Sequence, residues 1–169
     1  MNVPLLDLKA QYDQILPKIR TEIDKVLESH RYILGPQVKE FEEDMQKYCE
    51  VRHAVGCASG TDALVLALKA LQIQEDDEVI TTTFTFFATA GAISRVGAKP
   101  IFVDIKPDTF NIDPKQIENA ITPKTKAIIV VHLFGQPAEM DTIMEIAQKY
   151  NLKVIEDNAQ GIGAKFNGK

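Results

Sequence analysis

Three short stretches of the chain carry residue types that could do chemistry. In Ser59-Gly60-Thr61-Asp62 a glycine lets the backbone approach a ligand closely, and helix-start amides together with the Thr hydroxyl can cradle a phosphate. A Ser or Thr at that point serves equally well as a plain N-cap. In Thr83-Phe-Thr-Phe-Phe-Ala-Thr89 three aromatics follow a strand pattern, where one could lie flat against a planar ring or all could be core. In Glu156-Asp157-Asn158-Ala159-Gln160 an acid stands at the carboxyl end of an apolar strand. Burying that carboxylate is costly unless it meets a cation or several donors. A protonated ring nitrogen would satisfy it, and so would a helix start or loop amides.

The elements that must position these stretches are legible from periodicity. Residues 11–30 place Ile15, Ile19, Ile23, Val26 and Leu27 on one helical face. Gly35-Pro36 breaks the pattern, and a second helix runs through Val38, Phe41, Met45 and Tyr48. From there strands and helices alternate: strand 53–57, helix 63–71, strand 78–82, helix 86–96 and strand 99–103. Helix 113–121 follows, opened by Asp113-Pro114, then strand 126–131, helix 137–150 and strand 153–157. The run Lys126-Ala-Ile-Ile-Val-Val131 is almost wholly apolar, as strands covered on both faces are. Such alternation predicts an α/β fold with a mostly parallel sheet sandwiched by helices. In such sheets ligands bind beyond the carboxyl ends of the strands, where all three stretches lie.

The bulk properties set bounds on the whole. The 169 residues are 45% hydrophobic and 25% charged, with a net charge of −5 and no long run of either sign. That is the profile of a globular protein and excludes a basic nucleic-acid arm. No apolar run reaches the length of a membrane span, and Met1-Asn2-Val3-Pro4 lacks the basic start and apolar core of a signal peptide. A cytoplasmic protein is expected, with no nucleic-acid or membrane partner and no metal site. Two cysteines, Cys49 and Cys57, are read as reduced thiols. No repeat or linker marks a boundary, so residues 1–169 are expected to form one folding unit. The chain finishes on a glycine-containing loop just after a central-looking strand, an unusual place for a complete domain to stop.

Taken in order, Ala58-Ser-Gly-Thr-Asp-Ala-Leu64, Thr83-Phe-Thr-Phe-Phe-Ala-Thr89, His132-Leu-Phe-Gly-Gln136 and Val154-Ile-Glu-Asp-Asn-Ala-Gln160 are similar to the DegT/StrS family of sugar aminotransferases, of pyridoxal 5′-phosphate (PLP) fold type I. Pro4-Leu-Leu-Asp-Leu8 and Tyr32-Ile-Leu-Gly-Pro-Gln-Val-Lys-Glu-Phe-Glu42 resemble that family's N-terminal arm and first helices. The resemblance covers essentially the whole chain. It implies the front part of a PLP-binding large domain preceded by an arm, with the small C-terminal domain absent. It also implies that Gly60 and Thr61, with the Asp62 amide, hold the PLP phosphate, and that Phe86 stacks on the pyridine ring. Asp157 would pair with the ring nitrogen and Gln160 would contact the cofactor near its phenolic oxygen. The activity implied is transfer of an amino group, from glutamate, to the keto group of a nucleotide-linked sugar by a homodimer.

That mechanism needs a lysine to form the resting Schiff base and shuttle a proton. The family carries it in a Ser-Phe-x-x-x-Lys type of segment downstream of the Asp-x-x-Gln motif, and no such segment is present. Lys165 and Lys169 follow the motif too closely and read as solvated loop lysines. The catalytic lysine is therefore expected beyond Lys169, and the 169 residues alone are expected to be inactive. Two alternatives stand beside this reading: a non-catalytic module that binds a phosphate-containing ligand or pairs with a separate chain, and the front part of a PLP-dependent sugar dehydratase.

Overall fold

A computed structural model describes residues 5–168. The chain divides into two compact units, Met1–Gly56 and Cys57–Lys169, at a point where no shift in composition gives warning. Met1 to Pro4, the start of the expected N-terminal arm, and Lys169 lie outside the described residues.

The first unit holds two helices. Helix α1, Leu8–Ser29, starts earlier than its apolar pattern suggests because the Asp7 carboxylate caps it, accepting from the Ala10 N–H at 3.2 Å. Helix α2, Pro36–Tyr48, begins on Gly35-Pro36, so the dipeptide that breaks one pattern also starts the next, proline being suited to a first helical position. The expected strand at residues 53–57 does not form: these residues have no ladder partner among the described residues, and Val55 is exposed. The Gly56 N–H instead donates to the Glu42 carboxylate at 2.7 Å. A β-prone pentapeptide becomes a strand only where a neighbouring backbone offers its own donors and acceptors.

The second unit is a four-stranded sheet, all parallel, in the order β2-β1-β3-β4. Helix α3 (Gly60–Ala70) precedes β1 (Glu78–Thr82), and α4 (Phe87–Arg95) leads to β2 (Lys99–Val103). Helix α5 (Pro114–Ala120) leads to β3 (Thr125–Val131), and α6 (Met140–Lys149) follows a single 3-10 turn at Leu133–Gly135 and leads to β4 (Lys153–Asp157). Alternate residues of the central strands feed two separate cores. Val79, Ala127 and Ile129 pack with Leu64, Leu68, Ala92 and Ile93 of α3 and α4. Ile80, Ile128 and Val130 pack with Ile117 of α5 and Ile143, Ile146 and Ala147 of α6. The helices thus cover both faces, as expected of an α/β sandwich.

Helix α6 begins at Met140 rather than near residue 137. Ahead of it the Ala138 N–H is bonded to the His132 ring. Cys49 and Cys57 are both free thiols. Among the described residues no helix is long and apolar enough to cross a membrane.

Candidate functional site

The strand order reverses between β1 and β3, since the chain steps from β1 outward to β2 and then returns across to β3. Such a switch point opens a crevice at the carboxyl ends of the strands. A cavity of about 310 Å³ occupies it, walled by the start of α3, the loop after β1, and the ends of β3 and β4. Gly60, Thr61, Phe86, Asp157 and Gln160 all line it. Residues separated by a hundred positions in the sequence therefore share one chamber, and each of the three chemically suggestive stretches contributes.

Helix α3 presents its N-terminus to this cavity. Ser59, in extended conformation, accepts from the Asp62 N–H at 3.1 Å and donates its own hydroxyl hydrogen to Asp62 Oδ2 at 2.9 Å. This reciprocal cap consumes the Asp62 amide, and Asp62 is absent from the cavity lining. Helix geometry gives the amides of Gly60 and Thr61 no intrahelical acceptor. The N-cap thus engages one amide of this turn, that of Asp62, and not those of Gly60 and Thr61. Space in front of Gly60 is open, for a Cβ built there would meet nothing within 4 Å.

Phe86 is the N-cap residue of α4 and is 78% exposed, while Phe84 and Phe87 are also exposed. Core packing, the competing account of the three aromatics, does not describe them. Phe84 pairs with Phe110 at 5.9 Å between centroids, which leaves Phe86 as the aromatic of this loop that lines the cavity.

Asp157, the last residue of β4, is partly buried. Its Oδ2 accepts from the hydroxyl of fully buried Thr89 at 2.9 Å, and that hydroxyl also contacts Thr85 Oγ1 at 3.0 Å. Among the described residues its Oδ1 receives only the Ala159 N–H, at 3.4 Å. Among the described residues no helix follows β4, and Asp157 caps none of them. Gln160 spends its carbonyl oxygen on the Phe134 N–H at 2.8 Å, which keeps its amide NH2 as a donor. That bond steadies Phe134 in a left-handed conformation, φ 56°. Next to it Gly135, at φ 85°, lies so near Gln160 that a Cβ would stand 3.1 Å from the Gln160 backbone carbonyl oxygen, and glycine is the residue such a backbone tolerates.

Residues outside the assigned set hold this frame. Buried Asn111 accepts from the Leu133 N–H at 3.1 Å and donates to the Gln136 carbonyl at 2.8 Å, clamping the loop after β3. Buried His132 donates its backbone N–H to the Asp157 carbonyl at 3.1 Å. Its Nδ1 accepts from the Ala138 N–H at 3.1 Å, so the ring hydrogen sits on Nε2 and is donated to Glu156 at 2.8 Å. That hydrogen bond holds the Glu156 carboxyl below the ordinary glutamate range, against the opposing push of its partial burial. Thr89 had one signal in the sequence: it stands three and four residues before Ala92 and Ile93 on a buried helical face, where a hydroxyl needs a partner. For Asn111 and His132 no comparable local signal exists, since their partners are set by the tertiary fold.

The profile of the DegT/DnrJ/EryC1/StrS aminotransferase family matches residues 13–169. The chain is 58% identical, over its full length, to a pleiotropic regulatory protein of Geobacillus stearothermophilus, covering 45% of that protein. It is 52% identical over 99% of its length to a UDP-N-acetyl-3-dehydro-alpha-D-glucosamine 3-aminotransferase of Acidithiobacillus ferrooxidans, again covering 45% of the relative. Among solved structures it is similar to S. venezuelae DesV in complex with a ketimine intermediate, with a TM-score of 0.96, 46% identity, 99% of this chain and 45% of that one. The chain thus spans about 45% of the length of the proteins it matches here.

Proposed function

The chain belongs to the DegT/DnrJ/EryC1/StrS aminotransferase family, and from that premise we propose that it supplies the cofactor-binding part of an enzyme that transfers an amino group from glutamate to the keto group of a nucleotide-linked sugar, with PLP as cofactor. The observation that carries this reading is the convergence on one cavity of an open helix N-terminus, an exposed aromatic, a carboxylate and a free amide donor. These four chemistries suit, respectively, a phosphate, a planar ring, a protonated ring nitrogen and a phenolic oxygen. Bound there, PLP supplies an electron sink for the charge left when a substrate carbon loses a proton.

In this reading the Gly60 and Thr61 amides and the Thr61 hydroxyl bind the phosphate, while Asp62 contributes through the Ser59 cap. Phe86 covers one face of the ring. Asp157 holds the proton on the ring nitrogen by placing a negative charge beside it, and the Gln160 NH2 orients the ring through its phenolic oxygen. The lysine that attaches the cofactor and moves the proton is placed after residue 169, as the resemblance implies, and the working protein is a cytoplasmic homodimer. No observation favours a non-catalytic phosphate-binding module over this reading.

Titration of the full-length protein carrying this chain with pyridoxamine 5′-phosphate, which needs no covalent attachment, tests the site. Asp157→Ala is expected to weaken binding by about a hundredfold, the loss of a charge-assisted hydrogen bond, while the ligand-free protein stays folded with a modestly lower thermal midpoint, since Thr89 loses its acceptor. Wild-type affinity in that variant would overturn the assignment.

A further inference from the structure

Thr89 lies in the first turn of α4, fully buried, and does not itself line the cavity. Its hydroxyl is 2.9 Å from Asp157 Oδ2, across 68 residues of sequence. An ionised carboxylate can only accept, so the single hydroxyl hydrogen of Thr89 is committed to Asp157. The 3.0 Å contact between Thr85 and Thr89 must then run from Thr85 to Thr89, because Thr89 has no second hydrogen to give. Two O–H dipoles are therefore lined up in series toward one carboxylate oxygen, each polarising the next. The other oxygen, Oδ1, meets among the described residues only the Ala159 N–H at 3.4 Å, at the long end of hydrogen bonding, and so retains most of its accepting capacity.

We propose that Thr89, backed by Thr85, is a positioning residue of this site: the two hydroxyls lock one oxygen of Asp157 and so leave the other oriented for a cationic ring nitrogen. The proposal rests on the cofactor reading above. It explains why a threonine occupies a helical face otherwise given to Ala92 and Ile93, and why Thr85 stands four residues earlier, just before the helix and at the cavity wall. Without the relay the Asp157 carboxylate is free to rotate about its Cβ–Cγ bond, and part of the binding energy goes into stopping that rotation.

The test uses pyridoxamine 5′-phosphate and the full-length protein carrying this chain, with affinity and the ultraviolet band of the ring-protonated bound form as readouts. Thr89→Val, which keeps the shape and removes the hydroxyl, is expected to weaken binding about tenfold and to diminish the ring-protonated band. Thr89→Ser restores both, and Thr85→Val gives a smaller loss in the same direction. Asp157→Asn is the reference and loses both. Thr89→Val with wild-type affinity and band, beside a defective Asp157→Asn, overturns the positioning role and leaves the cofactor reading standing. An unaffected Asp157→Asn, or no binding by the unsubstituted protein, overturns that reading and the proposal with it. If Thr89→Val does not fold, Thr85→Val decides: unchanged affinity and band in that variant, or failure of Thr89→Ser to behave as wild type, overturns the relay.

Discussion

Glu156 and Asp157 are neighbours in sequence with different surroundings, because successive strand residues point to opposite faces of a sheet. Asp157 follows Ile155 onto the side of α3 and α4 and enters the cavity, whereas Glu156 follows Val154 onto the side of α5 and α6 and meets His132. Two acids that look like one acidic pair therefore do two jobs. The sign of the pH effect at Glu156 follows from the direction of its shift. Its carboxyl is held lower in the folded chain than in the unfolded one, so it adds stability above the ordinary glutamate range, and that increment is lost as the pH falls through the lower folded value. Because the side chain is 53% exposed, solvent screening keeps the increment small. Glu156→Gln is expected to reduce the acid-side loss of stability, seen as a shallower fall of the urea midpoint on acidification, with no change in shape near neutral pH. An unchanged acid limb would show that the His132 contact does not couple to folding.

Elements are most legible in the sequence where local chemistry sets their ends. Ser59, Asp113 and the apolar run of β3 announced their helices and strand, and each formed within a few residues of its expected bounds. The expected strand at 53–57 had suitable composition but needed a partner that no sequence pattern can supply. At the start of α3 the cap is expected to carry measurable energy: Ser59→Ala should cost about 1 kcal/mol, read as a lower urea midpoint with an unchanged slope. The same change frees the Asp62 amide, so a loss far below that value would mean that helix geometry alone, without the Ser59 bond, sets this turn.

Across the whole molecule, burial is unevenly spread. No residue of α1 is buried, while Ala127 to Val130 of β3 are completely inaccessible and sit between two covered faces. Local opening free energies follow such burial. Hydrogen exchange is therefore expected to be fastest, among the helices and strands, in α1 and slowest in β1 and β3, with protection differing by several powers of ten. Equal protection of α1 and β3 would mean that α1 is held by contacts other than its own helical hydrogen bonds.

The sequence by itself determined the alternation of helices and strands, the caps that begin α3 and α5, and the three stretches whose residue types suit a phosphate, a ring and a cation. These follow from periodicity and from hydrogen bonds spanning two to four residues, which a linear text contains. The tertiary structure alone decided that 53–57 lacks a ladder and that Phe86 faces the cavity rather than a core. It also decided which distant side chains meet: Thr89 with Asp157 over 68 residues and His132 with Glu156 over 24. Those pairings depend on strand order and register, and a residue's own neighbours in sequence carry no record of either.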